Sequence, residues 1–560
     1  MPLTKTSGKG SSFAGSYQSL GVDTGGTFTD FLWFDGQRLQ VHKCLSTPAA
    51  PEQAILQGIA ALAPPLDMLK VTHGSTVATN AVLEGKTART AYVSNQGLAD
   101  VLSIGRQARQ ELYNLQPQPQ PPPVPQALCW EVGQRTTADG RQLQALTEAD
   151  IQQLLARLES EQPEAIAINL LFSFLDDSAE KAIEAALPDD VFVSRSSAIL
   201  PELREYERGM ATWLNAAVGP VVGRYLSRLK TELPVASLAV MHSAAGTVDI
   251  GQASQHGVRL LLSGPAGGLL AARYMGRLAG EERLLTFDMG GTSTDVALID
   301  GEIQLTSEGR IAGWPVAVPM VAMHTIGAGG GSIARLDAGG LLQVGPESAG
   351  ADPGPACYGQ GGQAVTVTDA NLVLGRLPAT TALGGDMLLD VAAAKQAMAQ
   401  LAASMGMSVE AAALGVLRIA NEHMAQALRV ISVERGEDPR DYSLMSFGGA
   451  GGLQVCALAD ALGMRRAIVP VYAGVLSALG MLVARPSRQL SQSLLKPLDA
   501  IDEQAIQQGF ECLGAQGQAE LLAEAVATAE LKMIPSVDLR YAGQDACLNL
   551  AFENLAGLEA

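Results

Sequence analysis

One pattern, D-x-G-G-T-x-T-D, occurs twice in the chain: Asp23-Thr24-Gly25-Gly26-Thr27-Phe28-Thr29-Asp30 and Asp288-Met289-Gly290-Gly291-Thr292-Ser293-Thr294-Asp295. The copies stay in step from first aspartate to last. Each follows apolar residues (Leu20 and Val22; Leu284, Leu285 and Phe287), and each precedes an apolar run, 31–34 and 296–299. The unit is strand, glycine turn, strand. Repetition at this scale predicts two similar lobes, each presenting the same turn.

Adjacent glycines let backbone N–H groups point outward without Cβ obstruction, which makes an anion-binding concavity. Flanking threonines add hydroxyl donors. An aspartate at the end of the preceding strand repels phosphate but can hold the Mg²⁺ that bridges phosphates. One such turn alone reads as an ordinary hairpin. Two matching turns facing each other would clamp a nucleotide's phosphates from both sides, with Mg²⁺ as the expected metal. Asp23 and Asp288 are the candidate metal-holding and catalytic residues. Thr24, Gly25, Gly26, Thr27, Gly290, Gly291, Thr292 and Ser293 are the candidate phosphate ligands. A third turn, Phe447 to Leu453, contains Gly448, Gly449, Ala450 and Gly451 ahead of a helical stretch. Taken alone it reads equally as a helix-entry loop.

Other nucleotide and hydrolase motifs fail. Gly85-Lys86-Thr87 resembles the end of a P-loop, but Asn80 stands where the leading glycine belongs. The Gly327 to Ser332 stretch lacks the third glycine of a dinucleotide fingerprint. No G-x-S-x-G elbow occurs, and the six histidines include no His-x-x-x-His pair.

Composition narrows the partners. With 38 basic against 57 acidic residues and a net charge of −19, neither nucleic acid nor an anionic membrane is an expected partner. Six dispersed cysteines without a Cys-x-x-Cys pair predict buried free thiols in a reducing compartment. The Ser/Gly/Lys-rich start is not a signal peptide, and no apolar run is long enough to span a bilayer. A cytoplasmic location is expected.

Strands alternate with helical stretches, which predicts an α/β architecture. Helices are expected over 48–63, 147–161, 392–400, 409–431 and 501–533, and strands over 68–72 and 165–172. Thr147 and Asp150 are spaced as a capping box. Glycine loops between short strands dominate 260–383, and a strand pair closes the chain over 537–552. The expected division is a disordered leader (1–18), a first lobe (19–200), a main ATPase lobe (201–490) and a partial C-terminal domain (500–560). The chain is expected to be shorter than a complete member of its type.

The duplicated turn resembles that of actin, sugar kinases and Hsp70, which implies ATP as the nucleotide cofactor and the turn of Gly448, Gly449, Ala450 and Gly451 as the border of its adenosine. More closely, the sequence resembles the hydantoinase/oxoprolinase family, in its A-type, ATP-binding branch. The resemblance is carried by GVDTGGTFTD at 21–30, HGSTVATNA at 73–81, SIGRQ at 103–107, REYER at 204–208 and SGPAGG at 263–268. It continues through FDMGGTSTD at 287–295, GAGGGS at 327–332, GADPGPA at 350–356, TDANL at 368–372 and GVLSALG at 474–480. Two departures stand out: Gly452, Leu453 and Gln454 replace the usual Pro-Leu-His, and Ala108 to Glu111 replaces a more basic or proline-containing stretch.

The resemblance implies two actin-like, ribonuclease H-like lobes with a nucleotide cleft between them. It implies ATP-dependent hydrolysis of a cyclic amide, a hydantoin or a 5-oxoproline-like lactam, with this chain as the phosphorylating component. It also implies a hydantoinase B-type partner chain in an oligomer. His73, Thr76 and Asn80 are candidates for a site beside the γ-phosphate, with a capped helix start as the alternative. Arg106 and Arg109 are candidates for a substrate carboxylate, with a solvated surface pair as the alternative. Two other functions stay open: a component of an ATP-dependent ketone carboxylase, and a non-catalytic nucleotide switch.

Overall fold

The computed structural model describes residues 18–558, apart from 27, 48–49, 109–112, 117–120, 381, 384–386, 545 and 556–557. Thr27, Arg109 and the expected leader, except Gln18, lie outside the described residues.

The apolar alternation of the first repeat becomes a hairpin of β1 (Gln18–Thr24) and β2 (Phe28–Phe34), extended by β3 (Leu39–Leu45). β4 (Leu69–Ser75) returns parallel to β1 and runs into α1 (Val77–Leu83). The chain then builds a separate sheet from β5 (Thr90–Asn95), β6 (Cys129–Val132), β7 (Ala165–Ile168) and β8 (Phe192–Arg195). Its order is β8-β7-β5-β6, and every pair is parallel. α2 (Val101–Ile104) follows β5, and α3 (Glu148–Glu161) precedes β7. The expected capping box on α3 is present: Asp150 N–H donates to Thr147 Oγ1, and Thr147 N–H donates to the Asp150 carboxylate. β7 ends at Ile168, short of the expected 172, because Phe172 turns into the left-handed region at φ 57°.

α4 (Glu205–Glu232) then crosses the lobe, and β9 (Ser237–Met241) and β10 (Thr247–Asp249) rejoin the first sheet. Its order is β10-β9-β4-β1-β2-β3. Strands from both sides of residue 200 make up the first sheet, since those at 237–249 complete it. α4 and α5 (Ser263–Ala279) have no counterpart among the expected helices, and α5 falls where glycine loops are expected. α4 is buried along most of its length and carries Pro220 inside it, so it shows no single apolar stripe. α5 opens with glycines and a proline that read as a loop.

The second repeat becomes β11 (Arg283–Met289) and β12 (Thr294–Asp300), extended by β13 (Glu302–Ile303), with β14 (His324–Ile326) also pairing to β12. α6 (Val409–Ser432) is followed by β15 (Ser443–Phe447), α7 (Val455–Leu462), β16 (Ala467–Ile468) and α8 (Leu476–Val483). This sheet runs β13-β12-β11-β15-β16. It matches β3-β2-β1-β4-β9 strand for strand: two antiparallel pairs, then two parallel ones. The motif repeat is thus a repeat of whole lobes.

A core shared by both lobes joins them, with Leu32 of the first sheet, Leu284 of the second, Leu269 of α5 and Leu479 of α8. The approach is close enough to require glycine. A Cβ on Gly480 would lie 1.8 Å from the Gly267 carbonyl oxygen, and one on Gly21 would lie 2.0 Å from that of Ala478.

The C-terminal unit is α9 (Glu503–Ala523), shorter than expected, and an antiparallel pair of β17 (Ser536–Leu539) and β18 (Leu548–Ala551). Arg488 ties α9 to the first lobe through Glu520, Glu524 and the Thr247 carbonyl. Only Cys357 of the six cysteines is buried; Cys456, Cys512 and Cys547 are exposed, which corrects the expectation of buried thiols. Among the described residues, no single helix is long and apolar enough to cross a membrane.

Candidate functional site

The two repeat turns are alike down to their hydrogen bonds. Gly25 N–H donates to the Phe28 carbonyl at 3.0 Å, and Gly290 N–H donates to the Ser293 carbonyl at 3.0 Å. Asp23 faces Asp30 across the first hairpin, as Asp288 faces Asp295 across the second. The Gly331 N–H donates to the Gly291 carbonyl at 2.6 Å and the Gly330 N–H to that of Gly290 at 3.0 Å, so the 327–332 loop braces the second turn from behind. The first turn is braced by Thr76, whose hydroxyl donates to the Thr24 carbonyl at 3.1 Å, and Asn80 donates to Thr76 Oγ1 at 3.3 Å.

The third turn folds onto the second repeat. Ala450 N–H donates to the Met289 carbonyl, and Gly448 N–H donates to that of Ala473, each at 3.0 Å. Gly448 has φ 79°, and a Cβ there would lie 2.2 Å from Asp288 Oδ1. By contrast, a Cβ on Gly26, Gly291 or Gly449 would meet nothing within 4 Å. Each of the three turns therefore contains a glycine with open space before it, as a backbone kept clear for a ligand requires.

The acidic groups of the two hairpins lie within Coulomb range of one another. The Asp23 carboxyl is pushed up to about 8, first by burial and then by the charges of Asp30 and Asp288; Lys43 and a hydrogen bond from Ser477 oppose the rise. The Asp288 carboxyl is pushed up to about 7 by burial, then by Asp295 and Asp30. Both side chains are half-buried, deep in the molecule yet still reached by solvent. Crowded carboxylates of this kind favour a hard cation, which suits Mg²⁺ on oxygen ligands. Among the described residues no three Asp, Glu, His or Cys groups converge on one metal position. A cation here would be held jointly with phosphate and water, as Mg²⁺ commonly is.

Lys43 is a part of the site that no motif marks. Its ammonium lies 2.6 Å from Asp30 Oδ1 and 3.4 Å from the Gly474 carbonyl, so it bridges the first hairpin to the segment before α8. The Asp295 carboxylate instead accepts a hydrogen bond from Thr325 at 2.6 Å. The duplicated motif thus carries different partners in its two copies.

Two candidates lie away from the three glycine turns. His73 is fully buried: its Nδ1 lies 3.3 Å from the Val22 carbonyl, and its Nε2 pairs with the Tyr225 hydroxyl. Burial pushes its pKa down to about 4, so it is a neutral core side chain beneath β4 and not a cleft residue. Arg106 forms a two-bond fork to Glu207, 2.7 Å each, and lines a cavity that none of the three turns reaches. Gln454, which stands where the family pattern has histidine, is fully buried, and its amide has no hydrogen-bond partner among the described residues.

The buried histidine has a pH consequence. Unfolding frees His73 to take up a proton below its ordinary pKa near 6.5, so stability is lost as pH falls from there towards 4. The full effect is about 3 kcal/mol. His73→Gln, which does not titrate, is expected to be less stable than the parent at about pH 7.5, with the gap narrowing by about pH 4.5. Urea midpoints at the two pH values test this, and a constant gap would contradict it.

Two matched lobes, each built on the same hairpin and the same sheet order, define an actin-like fold. Residues 19–190 match the hydantoinase/oxoprolinase N-terminal region, and residues 208–490 match the hydantoinase/oxoprolinase domain. The chain belongs to the hydantoinase/oxoprolinase family. It is 35% identical to the alpha subunit of the caprolactamase of Pseudomonas jessenii over 94% of this chain and 79% of that one. It is 34% identical to 5-oxoprolinase 1 of Arabidopsis thaliana over 82% of this chain and 41% of the relative. The crystal structure of ATP-dependent caprolactamase from P. jessenii matches with a TM-score of 0.87 at 34% identity, covering 97% of this chain and 83% of that one. Nucleotide-free acetone carboxylase matches with a TM-score of 0.77 at 28% identity, covering 96% and 81%.

Proposed function

We propose that this chain is the ATP-binding component of an enzyme that opens a cyclic amide. The observation that carries the proposal is the pair of matching turns, each with an open glycine and a half-buried aspartate, whose acidic groups lie within Coulomb range of one another. Gly25, Gly26, Gly290 and Gly291 present backbone N–H groups to the phosphates, with Thr292 and Ser293 adding hydroxyls. Asp23 and Asp288 hold Mg²⁺, which neutralises phosphate charge when bound. Gly448 to Gly451 border the adenosine. Aligned dipoles and charge are the main catalytic contribution in phosphoryl transfer.

A cyclic amide resists water because attack on its carbonyl destroys amide resonance. Phosphorylation removes that protection. The carbonyl oxygen bonds to the γ-phosphorus as the bond to the β-phosphate oxygen breaks and ADP leaves. One water attacks the activated carbon and the C–N bond breaks, with a proton passing to nitrogen; a second water releases phosphate. These later steps need a positioned base or metal-bound hydroxide. Nothing in the described cleft supplies one, and a B-type partner chain is the proposed source.

The isolated chain is therefore expected to hydrolyse ATP at less than about 1% of the rate reached with its partner, and to open no ring alone. Turnover measured with and without the co-expressed partner, on caprolactam, hydantoin and 5-oxoproline, tests this. Stoichiometric amide cleavage by the single chain would overturn it. The likeness to acetone carboxylase supports a second reading, carboxylation of a ketone, and that reading alone requires ATP turnover to depend on bicarbonate.

A further inference from the structure

We propose that a second ligand site, separate from the nucleotide cleft, lies beyond the carboxyl ends of β5 and β7 and takes a small organic carboxylate with an apolar body. The parallel sheet predicts where a site belongs. Its strands appear in the chain as β5, β6, β7, β8 but lie in the order β8-β7-β5-β6. The chain leaves β5 towards one edge and later returns to the other side of it. In open parallel sheets, the crevice at such a reversal, outside the strands' carboxyl ends, is where ligands bind.

A cavity of about 400 Å³ occupies this position. Leu98, three residues past the end of β5, and Leu171, three past the end of β7, both line it. Its volume falls within the range of small-molecule sites. Val101, Ile104 and Leu203 complete an apolar floor. The rim carries three arginines, Arg106, Arg204 and Arg540, against two carboxylates, Glu205 in the lining and Glu207 paired with Arg106, so its balance is still positive.

On a chain of net charge −19, three guanidinium groups around an apolar pocket form a local reversal of sign. Arginine suits a carboxylate because its planar fork can donate two parallel hydrogen bonds. Arg106 is already oriented by its fork to Glu207. Arg540 comes from the C-terminal unit, just past β17, and has no ion pair among the described residues. Arg204, at the head of α4, has φ 77°, a left-handed backbone that a non-glycine residue adopts at a cost. None of the lining residues belongs to the three glycine turns, so the proposal does not rest on the amide-hydrolysis reading.

The test uses the full chain and a matched pair of probes: 4-phenylbutyrate and its uncharged counterpart 4-phenylbutanol. Calorimetry is expected to give a dissociation constant below about 1 mM for the acid and at least about tenfold weaker binding for the alcohol. Leu203→Glu places a like charge in the pocket, and Arg540→Gln removes a rim cation. Each is expected to weaken the acid by about tenfold or more while nucleotide binding stays unchanged. Equal binding of acid and alcohol, no binding of the acid, or full binding by both variants would overturn the proposal. 5-Oxoproline in competition identifies the source of the carboxylate: displacement of the probe assigns the site to an amide acid, and no displacement assigns it to another organic acid.

Discussion

Asp288→Asn is expected to lower ATP turnover by about 10³-fold while leaving the fold intact. The substitution keeps the shape of the side chain and its packing at the end of β11, so the loss falls on charge alone. Asp288 lies where burial, Asp295 and Asp30 all disfavour its ionised form. Only a cation makes a carboxylate worth keeping in such a place. Removing the charge should therefore leave the metal-free protein equally stable or more so, because one member of a crowded acidic group has gone. The variant's rate should recover little at high Mg²⁺. Asp23→Asn should behave alike, since the first repeat places Asp23 in the equivalent position. Steady-state phosphate release, alongside a thermal melt, checks both halves. Turnover within tenfold of the parent, with ordinary Mg²⁺ dependence, would remove Asp288 from the metal role.

Gly480→Ala is expected to do the opposite: destabilise the protein strongly without touching a ligand. Its Cβ would lie 1.8 Å from the Gly267 carbonyl oxygen and 2.5 Å from the carbonyl carbon. Both obstacles are backbone, held by α5, so no side chain can swing aside. Overpacking commonly costs about 1–3 kcal/mol, and a backbone clash of this kind belongs at or above the upper end. The damage sits between α5 and α8, where the two lobes share a core, so both lobes should lose stability together. Gly26→Ala is the control. Its Cβ meets nothing within 4 Å, so its urea midpoint should stay within about 0.5 kcal/mol of the parent. Nucleotide affinity should fall instead, because the methyl enters the space the turn keeps open. Unfolding curves and nucleotide calorimetry on both variants separate packing glycines from binding glycines. A stable Gly480→Ala protein, or a Gly26→Ala protein that binds normally, would contradict the distinction.

The lobes and their turns were legible in the sequence because their causes are local. A glycine pair between two apolar runs makes a hairpin wherever it occurs. A second copy with the same flanks makes the same hairpin, down to the bond from Gly25 to Phe28 and from Gly290 to Ser293. The capping box at Thr147 and Asp150 was legible for the same reason: four consecutive residues contain the whole interaction.

What the sequence could not fix depended on distant partners. α4 was hidden because burial on several sides erases the amphipathic stripe that marks a surface helix, and α5 because its opening glycines and proline read as a loop. His73 stands in a run of polar residues and reads as a site residue. Only Tyr225, far along the chain on α4, turns it into a satisfied core side chain. Lys43 reads as one lysine on an edge strand until the fold brings Asp30 and Gly474 to it. Arg106 matched a motif, but the tertiary structure placed it at a cavity shared with Arg540 and away from the phosphate turns. The sequence by itself determined which short segments form the paired glycine turns, because that needs only glycines and neighbours. The tertiary structure decided which charged groups share a space, because burial and through-space Coulomb interactions have no linear trace in the chain.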